Sequence, residues 1–312
     1  MTTLFENLTA PFAFDFMQQA FVMVLLLTIP TAILSCFLVL KGWSLMGDAI
    51  SHSVLPGIVI AYVLSIPFAI GAFVAGISCA IATGYIKENS RLKEDTVMGI
   101  VFSAMFALGL VLITKIETDV HLDQILYGDL LGSSWEGILE VGLVSLAVCS
   151  FLFIQGKNLL LYVFDKQHAQ AIGLSVRFLH YALLSVLSIT IVFALQAVGM
   201  ILVISMLITP GAIAFLITRN FYKMLALSVF IACSCSFLGV YVSFFLDSAP
   251  APTIIMLFSI VFIIVFIYNN MKIKRLTRQK LNKINAKSAQ KVKYKHVAKG
   301  TWLGYSCRHR CA

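Results

Sequence analysis

Nine separate stretches of this 312-residue chain are predominantly apolar and, at about 20 residues each, long enough to cross the hydrocarbon core of a bilayer. They fall near residues 16–40, 44–65, 67–86, 96–114, 136–155, 177–197, 199–218, 223–246 and 251–270. Lipid offers no hydrogen-bond partners, so a spanning segment must satisfy its own N–H and C=O groups, and runs of this length do so as helices. The expected fold class is an all-α polytopic membrane protein with nine transmembrane helices, eight being the alternative count. Composition agrees, since 60% of the residues are hydrophobic and only 12% charged, against about half and a quarter in soluble domains. The opening "MTTLFENLTAPFAFDF" has no basic stretch before its apolar run, so no cleaved signal is expected.

Charge sets an orientation. Of the ten Lys and Arg residues before position 272, only Lys115 falls on one side of the nine-span scheme; Lys41, Lys87, Arg91, Lys93, Lys157, Lys166, Arg177, Arg219 and Lys223 fall on the other. The positive-inside rule then places the N-terminus outside and the C-terminus in the cytoplasm. Glu117, Asp119, Asp123, Asp129, Glu136 and Asp247 gather on the outer side, a weaker signal of the same sense. The expected organisation is a short extracytoplasmic N-terminus (1–15), a transmembrane domain (16–271) and a basic cytoplasmic tail (272–312). The tail holds thirteen Lys or Arg and no Asp or Glu, and is read as disordered, solvated or drawn to anionic membrane lipid. No folded basic domain is visible, so nucleic acid is not an expected partner.

Cysteine adds little. Cys36, Cys79, Cys149, Cys233 and Cys235 lie in apolar runs, where a free thiol acts as a small hydrophobe. In the tail, "CRHRC" with Cys307, His309 and Cys311 is a weak metal motif. The outer "ETDVHLD" is read first as a solvated acidic loop, with docking of a binding protein as the alternative. Glu140 and His180 are placed near span ends, and Glu94 and Asp95 at a helix start, where acids suit the dipole.

The second apolar run is different. "WSLMGDAISHSVLPGIVIAY" (43–62) sets Asp48 and His52 where ionisable groups are costly, which makes function the default reading. Spaced four apart, they share one face of a helix and can reach one ion. The alternative is a buried Asp–His hydrogen bond holding two helices together. Pro56 has no N–H for the carbonyl of His52, so the backbone there is expected to bend and leave that carbonyl free. Gly42, Gly47, Gly57, Ser44, Ser51 and Ser53 offer a small-residue surface for a neighbouring helix. Carboxylate and imidazole suit manganese, ferrous iron or zinc; no nearby cysteine speaks for copper(I). Two ligands are too few for a selective site, so water or a second copy across a two-fold axis must complete the shell.

Four stretches carry a family resemblance: "LKGWSLMGDAISHSVLPGIVIAY" (40–62), "RLKEDTVMGIVFSAMFALGLVL" (91–112), "DVHLDQILYGDLLG" (119–132) and "VGMILVISMLITPGAIAFLI" (198–217). Over about residues 15–270 the chain resembles the membrane permease subunits of bacterial ABC importers for manganese, iron and zinc, and is most similar to the iron/manganese branch. The resemblance implies that Asp48 and His52 coordinate the transported metal, with Gly47, Ser51 and Pro56 shaping the pathway, and that no cofactor is permanently bound. It also implies the bacterial cytoplasmic (inner) membrane, a cytoplasmic ABC ATPase, an extracytoplasmic metal-binding protein and a second, identical or homologous, permease.

The loop "FDKQHAQAIGLSV" (164–176) reads as a short amphipathic helix of Ala169, Ala171, Ile172 and Leu174 ended by Gly173. A helix lying in the membrane interface is one reading. The resemblance implies instead a coupling helix seated in the ATPase, matched at Asp165, Ala169 and Gly173, with His168 a contact residue and not a ligand. The chain has no G-x-x-x-x-G-K-[ST] loop, so it is expected to be no enzyme and hydrolysis to belong to a partner. Three alternatives stand: a zinc-specific permease; an ion-coupled secondary transporter, which should show inverted repeats not found here; and an intramembrane metalloprotease, which needs ligand motifs that are absent.

Overall fold

A computed structural model describes residues 10–43, 45–115, 130–132, 134–275 and 278. Among them there are helices and connecting segments but no strands. The spanning helices are α1 (Asp15–Lys41), α2 (Met46–Val63), α3 (Phe68–Glu88), α4 (Glu94–Lys115), α5 (Trp135–Phe164), α7 (Val176–Val198), α8 (Met200–Ile217), α9 (Phe221–Phe245) and α10 (Pro250–Arg275), with the short α6 (Lys166–Ala171) between α5 and α7. Nine described helices are long and apolar enough to cross a membrane, and the protein is a multi-pass, all-α membrane protein. The chain divides into two compact units, residues Met1–Phe262 and Ile263–Ala312, with the boundary inside α10. The first unit contains α1 to α9 and the start of α10.

The observed helices track the apolar runs closely except at α5. The sequence reading stops that span at 155, ahead of Gly156, Lys157 and Asn158, but the helix continues to Phe164 for 30 residues. At 1.5 Å per residue this is about 45 Å, against about 30 Å of hydrocarbon, so the last turns carry the chain beyond the apolar layer and deliver it directly to α6. Apolar Leu159, Tyr162 and Val163 are buried against neighbouring helices, which explains why a lysine and an asparagine do not end it.

Burial ranks the helices. In α2 72% of the spanning window is buried and in α1 67%, against 22% in α4 and 28% in α5. The helix carrying Asp48 and His52 is therefore an inner one, packed on α3 and α4 and touching α7 and α8. Around α1 stand α5, α8 and α9.

Close packing replaces the hydrophobic effect as the cohesive term between helices in lipid. At the α2–α3 hairpin a Cβ on Gly57 would collide with the carbonyl of Gly71 and lie 2.6 Å from Ala75 Cβ, while one on Gly71 would lie 2.6 Å from Ala61 Cβ. Two small-xxx-small pairs, Gly57/Ala61 and Gly71/Ala75, thus let the two backbones touch. Hydroxyls link α1 to its neighbours: Gly211 N–H donates to Ser35 Oγ (2.9 Å), Ser228 Oγ donates to the Ala32 carbonyl (3.0 Å), and Thr28 Oγ1 donates to Ser236 Oγ (3.2 Å).

Candidate metal site on α2

Asp48 stands in the first turn of α2 and His52 one turn later. His52 Nε2 lies 3.3 Å from Asp48 Oδ1, so the pair is an i,i+4 contact within one helix and does not tie two helices together. The side chains of His52 and Asp48 are 28% and 33% exposed respectively, which leaves the pair open to an ion from outside the helix packing. An octahedral ion with bonds of about 2.2 Å sets neighbouring ligand atoms about 3.1 Å apart, so Oδ1 and Nε2 stand close to the spacing two adjacent ligands need.

The other ring nitrogen is constrained differently. His52 Nδ1 is buried without a hydrogen-bond partner. Two aromatic rings of α4 hold the imidazole: Phe102 stacks on it at 5.8 Å between centroids, and Phe106 meets it edge-on at 5.1 Å. This apolar clamp keeps Nε2 turned toward Asp48. The sequence reading missed both phenylalanines, although their i,i+4 spacing in "FSAMF" marks one face of α4.

The remaining small residues of the stretch have separate tasks. Gly47 admits α8, since a Cβ there would lie 3.2 Å from Leu207 Cδ1. Ser51 is buried and donates to the Gly47 carbonyl at 2.8 Å, and Ser53 donates to the Ile50 carbonyl at 2.9 Å. Pro56 is buried beside α4, its Cδ 3.0 Å from where a Cβ on Gly109 would stand, and α2 runs through it as one continuous helix. Gly42 is no part of this surface. It ends α1 in a Schellman turn, with Trp43 N–H bonded to the Leu38 carbonyl at 2.9 Å. Ser44 lies outside the described residues.

The loop helix α6 is built from both ends. Asp165 caps it by accepting from the N–H groups of Gln167 (3.0 Å) and His168 (2.9 Å). Gly173, at φ 88, closes it in a second Schellman turn in which Leu174 N–H reaches the Ala169 carbonyl at 3.1 Å. Ala169 is fully buried against the body of the protein. The apolar face differs from the expected one: the helix stops at Ala171, and Ile172 is 60% exposed instead of packed. With exposed Phe164 before the helix, it leaves an apolar residue bare at each end of α6.

Among the described residues no three His, Cys, Asp or Glu side chains gather into a metal-holding group, so the Asp48–His52 pair has no third such side chain beside it. The five described cysteines are free thiols, of which Cys36, Cys79 and Cys235 are buried. Glu117, Asp119, His121 and Asp123, and the tail's Cys307, His309 and Cys311, lie outside the described residues. The fold and the intramembrane carboxylate–imidazole pair define a class: a polytopic helical membrane protein with an ionisable site on an inner helix.

Comparison with known proteins makes the class specific. Residues 13–269 match the ABC 3 transport family, and the chain belongs to that family. It is 53% identical over 272 residues to the chelated iron transport system membrane protein YfeD of Yersinia pestis, covering 87% of this chain and 92% of that one. It is 46% identical over 260 residues to the manganese transport system membrane protein MntB of Synechocystis, covering 83% and 85%. In three dimensions it is similar to the structure described as PsaBC from Streptococcus pneumoniae in complex with Fab, with a TM-score of 0.75, 36% identity, and coverage of 85% of this chain and 95% of that one.

Proposed function

We propose that this chain is the permease of an ATP-driven importer that carries manganese and ferrous ions across the bacterial cytoplasmic membrane, with its N-terminus outside. The observation that carries the reading is the Asp48–His52 pair, whose donor atoms stand 3.3 Å apart on the most buried spanning helix of a protein similar to iron and manganese permeases. An extracytoplasmic binding protein delivers the ion to the outer mouth. Carboxylate and imidazole replace part of its water shell, and the same pair from a second permease, identical or homologous, completes the coordination. Gly47, Ser51 and Pro56 shape the path by letting α8 and α4 close on α2. Two moderate ligands from each chain hold the ion weakly enough for release.

Energy comes from a cytoplasmic ABC ATPase. Its movements reach the permease through α6, whose geometry rests on Asp165, Ala169 and Gly173, and whose flanking Phe164 and Ile172 are free to enter a groove on the ATPase. The test is uptake of radioactive manganese and iron, with zinc as competitor, in cells expressing Asp48→Asn or His52→Ala, membrane insertion being measured separately. Uptake should fall to background in both variants while the protein still reaches the membrane. Wild-type uptake in both defeats the coordination reading, and preferential competition by zinc defeats the choice of metal.

A further inference from the structure

The imidazole of His52 has an open side and a dry side. Its side chain is 28% exposed, and Nε2 lies 3.3 Å from Asp48 Oδ1. Nδ1, by contrast, is buried by this chain itself and has no hydrogen-bond partner, so neither bulk water nor a second permease can reach it. An ionised carboxylate only accepts, so the contact with Asp48 places the proton of a neutral imidazole on Nε2 before an ion arrives and leaves Nδ1 a bare lone pair.

A metal ion reverses this arrangement. With Nδ1 closed off, Nε2 is the ring nitrogen that can ligate, and an ion bound there leaves the single proton of the neutral ring on Nδ1. The number of protons is unchanged, but the N–H now points into the protein. Metal-bound histidines almost always donate their other N–H to a carboxylate, a backbone carbonyl or water, which orients the ring and strengthens the ligand. His52 has no such acceptor. Phe102 and Phe106 of α4 stand against its ring, with centroids 5.8 and 5.1 Å away, and neither side chain carries an oxygen. A buried donor left unpaired is costly, so ligation at Nε2 works against that cost.

We propose that Phe102 and Phe106 are positioning residues that set how tightly His52 holds the transported ion: they fix the ring while denying Nδ1–H an acceptor, and so keep Nε2 a weak ligand. The inference rests on the reading of Asp48 and His52 as the coordinating pair and says what limits its strength. A transit site has to release what it binds, and an ion held too firmly blocks the path. The two functions of the clamp are separable. Holding the ring keeps Nε2 beside Asp48 Oδ1, where two adjacent ligands belong, and withholding the second hydrogen bond keeps the pair from acting as a permanent metal site.

Supplying the missing acceptor should tighten the site. The full chain in lipid nanodiscs is titrated with manganese(II), the free ion being read by its electron paramagnetic resonance signal, and His52→Ala identifies the binding that belongs to the pair. Phe102→Gln or Phe106→Gln, each bringing an amide carbonyl to the ring, should lower the Kd about tenfold. Phe102→Leu and Phe106→Leu, which loosen the ring and bring no acceptor, should raise it. A purely structural clamp would weaken binding in all four variants, so the opposite signs are the diagnostic readout. Thermal melting identifies variants that fail to fold, and a second measurement uses the unaltered chain. In nitrogen-15 spectra of the histidine-labelled protein, with His52 assigned by its loss in His52→Ala, diamagnetic zinc should move the ring proton from Nε2 to Nδ1. Unchanged or weaker binding in both folded Gln variants, or a proton already on Nδ1 before zinc is added, overturns the proposal. If His52→Ala leaves manganese binding intact, the coordinating pair and this inference fall together; His52-dependent binding that glutamine does not tighten removes this inference alone.

Discussion

At His52 a single side chain is set by three neighbours: Asp48 on its own helix fixes one nitrogen, and Phe102 and Phe106 of α4 fix the ring plane. The pair itself is legible in the sequence, because ionisable residues are rare in apolar runs and a spacing of four defines a helix face. The clamp is not legible, because aromatic residues are common in spanning helices and the contact joins residues some fifty positions apart. The same holds for Gly57. Its role depends on meeting Gly71, so Gly57→Val should collide with the α3 backbone. The expected cost is about 1–3 kcal/mol or a rearranged hairpin, read as a lowered melting temperature in detergent. An unchanged melting temperature would mean that the two backbones do not approach as described. Ala at Gly99, where a Cβ meets nothing within 4 Å, is the tolerated control.

At the scale of elements, α6 shows how a pattern known from resemblance acquires a physical account. Asp165 is a cap, Ala169 a buried contact and Gly173 a left-handed closing residue, each needed for a six-residue helix to exist at all. Asp165→Ala should therefore destabilise the loop by about 0.5–2 kcal/mol, whereas Asp165→Asn keeps the cap. Measured as ATPase activity of the assembled transporter, Asn should retain most of the coupling and Ala should lose it. Equal loss in both variants would instead assign Asp165 a charge contact with the ATPase. A similar dependence on one residue occurs between α7 and α8, which are joined by Gly199 alone at φ 80 and ψ 165. That backbone region is essentially reserved for glycine.

At the scale of the molecule, the nine described spans and the bias of lysine and arginine lead to an orientation that labelling can test. In a cysteine-free background, Leu64→Cys in the α2–α3 turn should react with an impermeant maleimide from outside intact cells. Asn89→Cys, after α3, should react only once the membrane is opened. The opposite pattern would invert the topology.

The sequence by itself marked where the spanning helices lie, with nine as its count and eight as the alternative, because bilayer thickness and backbone hydrogen bonding leave a long apolar segment few other structures. It also marked Asp48 and His52, because a charge in lipid stands out against its surroundings. Only the tertiary structure decided which helices are inner, why α5 outruns its apolar stretch, and what surrounds the site. The helices are apolar on nearly every face, so hydrophobic periodicity cannot say which side turns inward. That choice belongs to small residues and buried hydroxyls whose partners lie on other helices.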